Sequence, residues 1–183
     1  MESKGVVAAV VAAAAVARQP ALLHATDRYT PGVGFSLLGL LVSAAVLAPN
    51  LLLLRFPPRD AVPSAPVPVV VTWVERAGQA LCLVVPAITS AGALQGWWSP
   101  VIVVALGGYY ALWGRYLRGG RSGADLYRPL WRMPVPMAIL PVVVFAATGA
   151  WLSNPWIAAA SVILAAGHIP ASLLTARRLA GAT

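Results

Sequence analysis

Long uncharged intervals separate the charged residues of the chain, and these intervals predict where it crosses a membrane. Residues 29–54 form an uncharged interval of 26 residues, which suits one helix. Residues 77–114 and 133–176 form intervals of 38 and 44 residues. A membrane-spanning helix needs about 20 residues, and a charge at mid-membrane costs several kcal/mol. Each of the two longer intervals therefore predicts a pair of helices.

Short polar segments divide the two longer intervals. Residues 95–100 contain Gly and Pro, and residues 153–155 read Ser-Asn-Pro, both typical of turns. Five spans are thus predicted, at about residues 33–54, 69–92, 98–117, 134–152 and 155–175. The predicted fold class is all-α, a polytopic transmembrane helical bundle with five core spans and a further N-terminal hydrophobic segment.

Pro49, Pro86 and Pro141 fall inside predicted spans. A proline within a helix has no N–H and frees the carbonyl four residues before it. Membrane helices tolerate this where a neighbouring group satisfies the carbonyl.

The N-terminal residues 1–30 form a separate segment with two interpretations. Lys4 precedes the Ala/Val-rich run of residues 5–17, which is typical of a signal peptide with a cleavage site at residues 15–17. The same run can extend past Arg18 to Leu23 as a sixth, weak membrane helix. Residues 31–183 form the predicted five-helix transmembrane domain.

The distribution of basic residues predicts the orientation of the bundle. Ten of the 13 Lys and Arg residues lie in three segments that all fall on one side. These are the first link, with Arg55, Arg59 and Arg76; the third link, residues 115–133, with five arginines; and the C-terminal tail, with Arg177 and Arg178. The second and fourth links carry no charge. Because cytoplasmic loops are rich in Lys and Arg, we expect a multi-pass cell-membrane protein whose third link and C-terminus are cytoplasmic.

Composition supports the membrane interpretation and excludes several others. The chain has 60% hydrophobic and only 10% charged residues, with a mean hydropathy of +0.79. Soluble domains carry about 25% charged residues. The net charge of +8 is therefore interpreted as topology, with membrane lipids as the expected partners and no nucleic acid. The five-arginine third link favours anionic lipids.

The single cysteine, Cys82, excludes an intrachain disulfide. We expect no metal site and no cofactor, and the sequence leaves the oligomeric state open. Tyr109, Tyr110, Trp113 and Tyr116 resemble an interfacial aromatic belt.

Polar side chains inside predicted spans are candidate functional residues, because each needs a partner in hydrocarbon. Helix rise places Asn50, Glu75 and His168 in the inner leaflet, and Gln79 lies one turn after Glu75. The arginines bind phosphate well. The predicted ligand-binding pocket comprises Asn50, Glu75, Arg76, Gln79, Arg115, Tyr116 and His168.

Structural interpretations of the same residues stay open at this point. Glu75 and Arg76 can form an interfacial ion pair, and His168 can be a packed, hydrogen-bonded histidine. The predicted function is an integral membrane protein that binds an anionic or lipid ligand. One alternative is a lipid-modifying enzyme with His168 as catalytic acid or base, and another is a small proton-coupled transporter that uses Glu75.

Short motifs are spread over about three quarters of the chain, from Ala48 onward. They are Ala-Pro-Asn at 48–50, Phe-Pro-Pro at 56–58, Glu-Arg-x-Gly-Gln at 75–79, Arg-Tyr at 115–116, Leu-Tyr-x-Pro-Leu at 126–130, Pro-x-Pro-Met-Ala at 134–138 and Gly-His-Ile at 167–169. In these motifs the chain resembles an uncharacterised family of small bacterial multi-pass membrane proteins of unknown function. The resemblance implies the five-helix core and no catalytic residues.

Overall fold

Five α-helices form within residues 31–60, 62 and 65–181, which the computed structural model of the protein describes. They are α1 (Leu37–Arg55), α2 (Val69–Ile88), α3 (Ser99–Arg118), α4 (Pro136–Trp151) and α5 (Pro155–Ala180). The predicted all-α class is confirmed for this part of the chain. The N-terminal segment, residues 1–30, lies outside the described residues.

Helix length and apolarity differ among the five. Of the helices described, α1, α2 and α5 are long and apolar enough to cross a membrane. Helix α4 is apolar but has 16 residues, which is roughly 24 Å of rise against about 30 Å of hydrocarbon. Helix α3 has 20 residues but ends in Arg115 and Arg118. Membrane-spanning character is therefore shown for three helices, and crossing by all five is a proposal.

Large apolar side chains are exposed on the outer surfaces of the helices. Only 17% of the apolar window in α2 is buried inside the bundle. Among the exposed side chains are Leu41, Leu54, Val70, Val84, Val103 and Val104. Soluble monomers rarely expose contiguous apolar patches of large area. This outward surface suits lipid tails.

The start of α1 and the end of α2 differ from the predicted spans. Gly34 N–H donates to the Ile88 carbonyl at 2.9 Å, and Ser36 N–H donates to the Ala87 carbonyl at 3.0 Å. The chain before Leu37 is thus extended along the end of α2 and satisfies carbonyls that a helix terminus leaves open. Helix α1 consequently begins at residue 37 rather than 33, and α2 ends at residue 88 rather than 92.

The helices pack in the order α1, α2, α5, α4, α3, with lighter contacts from α1 to α3 and α4. Helices α2 and α5 approach each other closely at two glycines. A Cβ added at Gly78 would overlap the backbone of Leu164, and one added at Gly167 would overlap the backbone of Glu75. Small residues at helix crossings let membrane helices approach this closely.

Two of the prolines explain how α1 is attached to its neighbours. Pro49 removes the partner of the Ala45 carbonyl, which instead accepts from the Tyr110 hydroxyl of α3 at 2.9 Å. Pro86 does the same to the Cys82 carbonyl, which accepts from the Ser43 hydroxyl of α1 at 3.1 Å. Each freed carbonyl thus forms an interhelical hydrogen bond.

Asn154 joins the ends of α2 and α5. Its side-chain oxygen accepts from the N–H groups of Trp156 and Ile157, which caps α5. Its amide donates to the Thr89 hydroxyl at 2.8 Å and to the Ser90 carbonyl at 3.2 Å. The residue predicted as a turn signal is therefore also a buried link between two helices.

The glycine crossing gives a stability prediction. We expect Gly167→Ala to lower the free energy of unfolding by about 1–3 kcal/mol, because the added Cβ has no room. The matched control is Gly107→Ala on α3, where a Cβ meets nothing within 4 Å. The control should be neutral or stabilising by about 0.5–1 kcal/mol. Unfolding in mixed micelles, followed by circular dichroism, measures both, and equal effects of the two changes would contradict the crossing.

Candidate functional site

A cavity of about 390 Å³ lies between the helices, and all five contribute to its wall. This volume falls within the range of small-molecule sites, about 300–1,000 Å³. The wall is mainly apolar, from Val46, Leu47, Leu53, Cys82, Leu83, Val135, Met137, Ala138, Pro141, Phe145 and Leu164. Its polar members are Asn50, Gln79, Tyr109, Trp113, Tyr127, His168 and Ser172.

The cavity borders an acid–imidazole pair. Nδ1 of His168 lies 2.6 Å from Oε1 of Glu75, and the two side chains are 25% and 22% exposed. The Gly167 crossing explains this contact, because it brings the backbone of α5 against Glu75. With Glu75 ionised, Nδ1 carries the proton and donates, which leaves Nε2 for a ligand.

Aromatic side chains of α3 form another part of the wall. Tyr109 and Trp113 are each 3% exposed, and their rings meet edge to face with centroids 6.3 Å apart. The Tyr109 hydroxyl accepts from Nδ2 of Asn50 at 2.9 Å. The Trp113 indole N–H interacts weakly with that hydroxyl but forms no hydrogen bond of acceptable distance and angle.

The structure brings four of the seven predicted pocket residues together. Asn50, Gln79 and His168 line the cavity, and Glu75 contacts His168 without lining the cavity itself. Glu75 is paired with this histidine rather than with Arg76, so the intrahelical ion pair is not formed. The inner-leaflet depths estimated from helix rise are the reason this grouping could be predicted.

The other three predicted residues lie elsewhere. Arg76 is exposed on α2. Nη2 of Arg115 donates to the carbonyls of Asp125 at 3.4 Å and Arg128 at 3.2 Å. Tyr116 is fully buried and donates to the Phe56 carbonyl at 2.9 Å. These three residues therefore do not line this cavity, and their part in ligand binding stays a prediction.

The expected aromatic belt is also largely wrong. Tyr109, Trp113 and Tyr116 are buried in the core, and of the four only Tyr110 is exposed. Their spacing of i, i+4 and i+7 places them on one helix face, which is a signal that could have indicated an inward stripe. Residue type alone does not distinguish an aromatic side chain at the level of the lipid headgroups from one packed in the core.

Tyr127 and Ser172 are cavity residues that the sequence did not single out. Tyr127 lies in the third link, where burial raises the pKa of its hydroxyl and the Glu75 carboxylate raises it further. The hydroxyl therefore stays protonated and able to donate at neutral pH. Ser172 follows His168 by four residues and so shares its face of α5.

Hydrogen bonds between the first and third links close the bundle beside the cavity. Asp60 accepts from the Gly123 N–H at 2.6 Å and from the Ser122 hydroxyl at 2.8 Å. These two bonds lower the pKa of the Asp60 carboxyl. The backbone N–H of Arg59 also donates to the Arg121 carbonyl at 3.0 Å. The links are thus tied together near the C-terminal ends of α1 and α3.

No group of three metal-ligating side chains occurs in the part of the chain that the structure describes. Comparison with protein-family models, curated proteins and solved structures finds no match to this chain. The resemblance to an uncharacterised membrane family stays a prediction. The geometry of the cavity is therefore the basis for a proposed function.

The Glu75–His168 contact predicts a measurable coupling. We expect Glu75→Ala and His168→Ala to destabilise the protein by less in combination than the sum of the single changes. The coupling energy should be about 1 kcal/mol, as for a partly exposed charge-assisted pair.

Unfolding in mixed micelles gives the free energies for this double-mutant cycle. The control cycle combines Glu75→Ala with Asn50→Ala on α1, and these changes should be additive. Additivity in the Glu75–His168 cycle would show that the pair does not form.

Proposed function

We propose that the chain is a five-crossing cell-membrane protein that takes a largely apolar ligand from the bilayer into its central cavity. The third link and the C-terminus face the cytoplasm in this proposal. The short α4 also crosses in this proposal, because it packs between the longer helices α3 and α5. Ten of its 16 residues are buried, so its neighbours shield much of it from lipid.

The lining of the cavity is the observation that carries the ligand proposal. Apolar side chains from all five helices surround a small set of polar groups, and no Lys or Arg of the described residues lines the space. An anionic headgroup would lack a cationic partner inside the cavity. The lining supports a lipid-like ligand with an uncharged polar group.

The exposed arginines of the inner face support a second contact with lipid. Arg118, Arg128, Arg132, Arg177 and Arg178 are all exposed. Basic residues near a membrane surface attract anionic lipids by about 1 kcal/mol each. We therefore assign anionic lipids to the outside of the bundle and the uncharged ligand to its interior.

A lipid-modifying enzyme is the second candidate, and the Glu75–His168 contact favours it. A carboxylate on Nδ1 orients an imidazole so that Nε2 can act as an acid or base. His168 lines the cavity, where a bound lipid would meet it. The two candidates differ in whether the bound molecule leaves the cavity chemically changed.

Cysteine labelling in intact cells tests the topology. In a Cys82→Ser background we expect a membrane-impermeant maleimide to label Gln95→Cys from outside. It should label Ala124→Cys only after permeabilisation, because the basic third link faces the cytoplasm. Both positions are exposed in the folded chain. External labelling of Ala124→Cys in sealed cells would contradict the proposed orientation.

Photolabelling tests the cavity. In vesicles that contain a phosphatidylcholine with a diazirine on its acyl chain, we expect label on the peptide around Met137. Ala138→Phe should reduce this label severalfold, because Ala138 is 3% exposed and its side chain borders the cavity.

Label at Val103 and Val104, which are 68% and 74% exposed, serves as the internal control and should not change. Ala111→Phe, at an exposed alanine of α3, is the matched substitution outside the cavity. Equal cavity labelling in the wild type and Ala138→Phe would contradict the proposal.

A further inference from the structure

Two hydrogen-bond donors of α3 lie side by side in the cavity wall. The Tyr109 hydroxyl already accepts from Asn50, so its own proton is directed elsewhere. The Trp113 indole N–H is buried and lacks a hydrogen bond of acceptable geometry. Tyr109 and Trp113 are one turn apart on the same helix face.

A buried donor without a hydrogen bond of good geometry is rare and costly in a folded protein. Trp113 is only 3% exposed, and it borders the cavity. Hydrocarbon would not satisfy the indole N–H, because a lipid tail has no acceptor. A ligand that brings an acceptor to this wall would remove the cost.

A carbonyl oxygen fits this pair of donors better than other acceptors do. It has two lone pairs and so can accept from both the hydroxyl and the indole N–H. A carboxylate or phosphate would bring a charge, and no Lys or Arg of the described residues lines the cavity. An uncharged carbonyl therefore matches the number of donors and the electrostatics of the wall.

We infer that Tyr109 and Trp113 form a recognition site for the carbonyl oxygen of an uncharged, otherwise apolar ligand. The inference rests on the proposed function, because it names the chemistry of the molecule that the cavity takes. Alkylated quinones and neutral acylglycerols both have this chemistry. The cavity volume of about 390 Å³ is near the lower limit for ligand sites, so it suits one ring or one chain with its carbonyl.

Binding of matched tritiated probes to the detergent-solubilised full chain tests the inference. The probes are a decyl-substituted benzoquinone, a monoacylglycerol with a ten-carbon chain, and decylbenzene as the carbonyl-free control. We expect at least one carbonyl probe to bind the wild type more tightly than decylbenzene. The tighter of the two identifies the source of the carbonyl.

Trp113→Phe removes the indole N–H and keeps an aromatic ring in the wall. It should weaken binding of the preferred carbonyl probe by roughly five- to tenfold, the loss expected for one hydrogen bond. Decylbenzene binding should not change, which shows that the cavity is still folded. Trp131→Phe is the matched control, because Trp131 is 97% exposed and outside the cavity, and it should bind every probe like the wild type.

Tyr109→Phe provides a second variant with the same expected loss of carbonyl preference. If both variants keep the wild-type preference, or if the wild type binds decylbenzene as tightly as the carbonyl probes, the inference is wrong and the cavity proposal stands. If no probe binds and Ala138→Phe leaves photolabelling unchanged, the proposed function fails as well.

Discussion

The close approach of α2 and α5 is the contact on which the rest of the structure depends. Gly78 and Gly167 each face the backbone of the other helix, with no room for a side chain. In hydrocarbon such van der Waals contact replaces the hydrophobic effect as a source of helix association. Because Gly167 sits against Glu75, the next residue, His168, reaches the carboxylate at 2.6 Å. One crossing therefore both stabilises the bundle and forms its acid–imidazole pair.

Helix α1 combines a close backbone approach with interhelical hydrogen bonds, since a Cβ added at Gly39 would overlap the backbone of Pro86 in α2. It joins α2 and α3 partly through side-chain hydroxyls on the carbonyls that Pro86 and Pro49 leave open. Asn50 adds a bond to Tyr109. These bonds satisfy polar backbone in a low-dielectric setting, where an unpaired group is costly. They join α1 to α2 and α3, and the cavity lies beside these helices with α4 and α5 completing its wall.

The arginines and the uncharged polar groups lie in different parts of the molecule. Carbonyls of the third link bind Arg115, and Arg118 and Arg128 are exposed, whereas the cavity wall contains uncharged polar groups and His168. Asp60 ties the first and third links by accepting two hydrogen bonds, which also lower the pKa of its carboxyl. Exposed arginines thus lie on the surface, and no Lys or Arg of the described residues lines the cavity.

The sequence alone determined the helices and the depth of their polar residues. Charge-free intervals and turn residues placed all five to within a few residues, and helix rise grouped Asn50, Glu75 and His168, because both follow from local geometry and the cost of buried charge. Only the tertiary structure decided which face each residue presents. Residue type does not distinguish a headgroup belt from a core stripe, so Tyr109 and Trp113 were misplaced. Arg115 likewise lies outside the cavity lining because carbonyls of the link that follows α3 bind it, and the path of that link is decided by the tertiary structure.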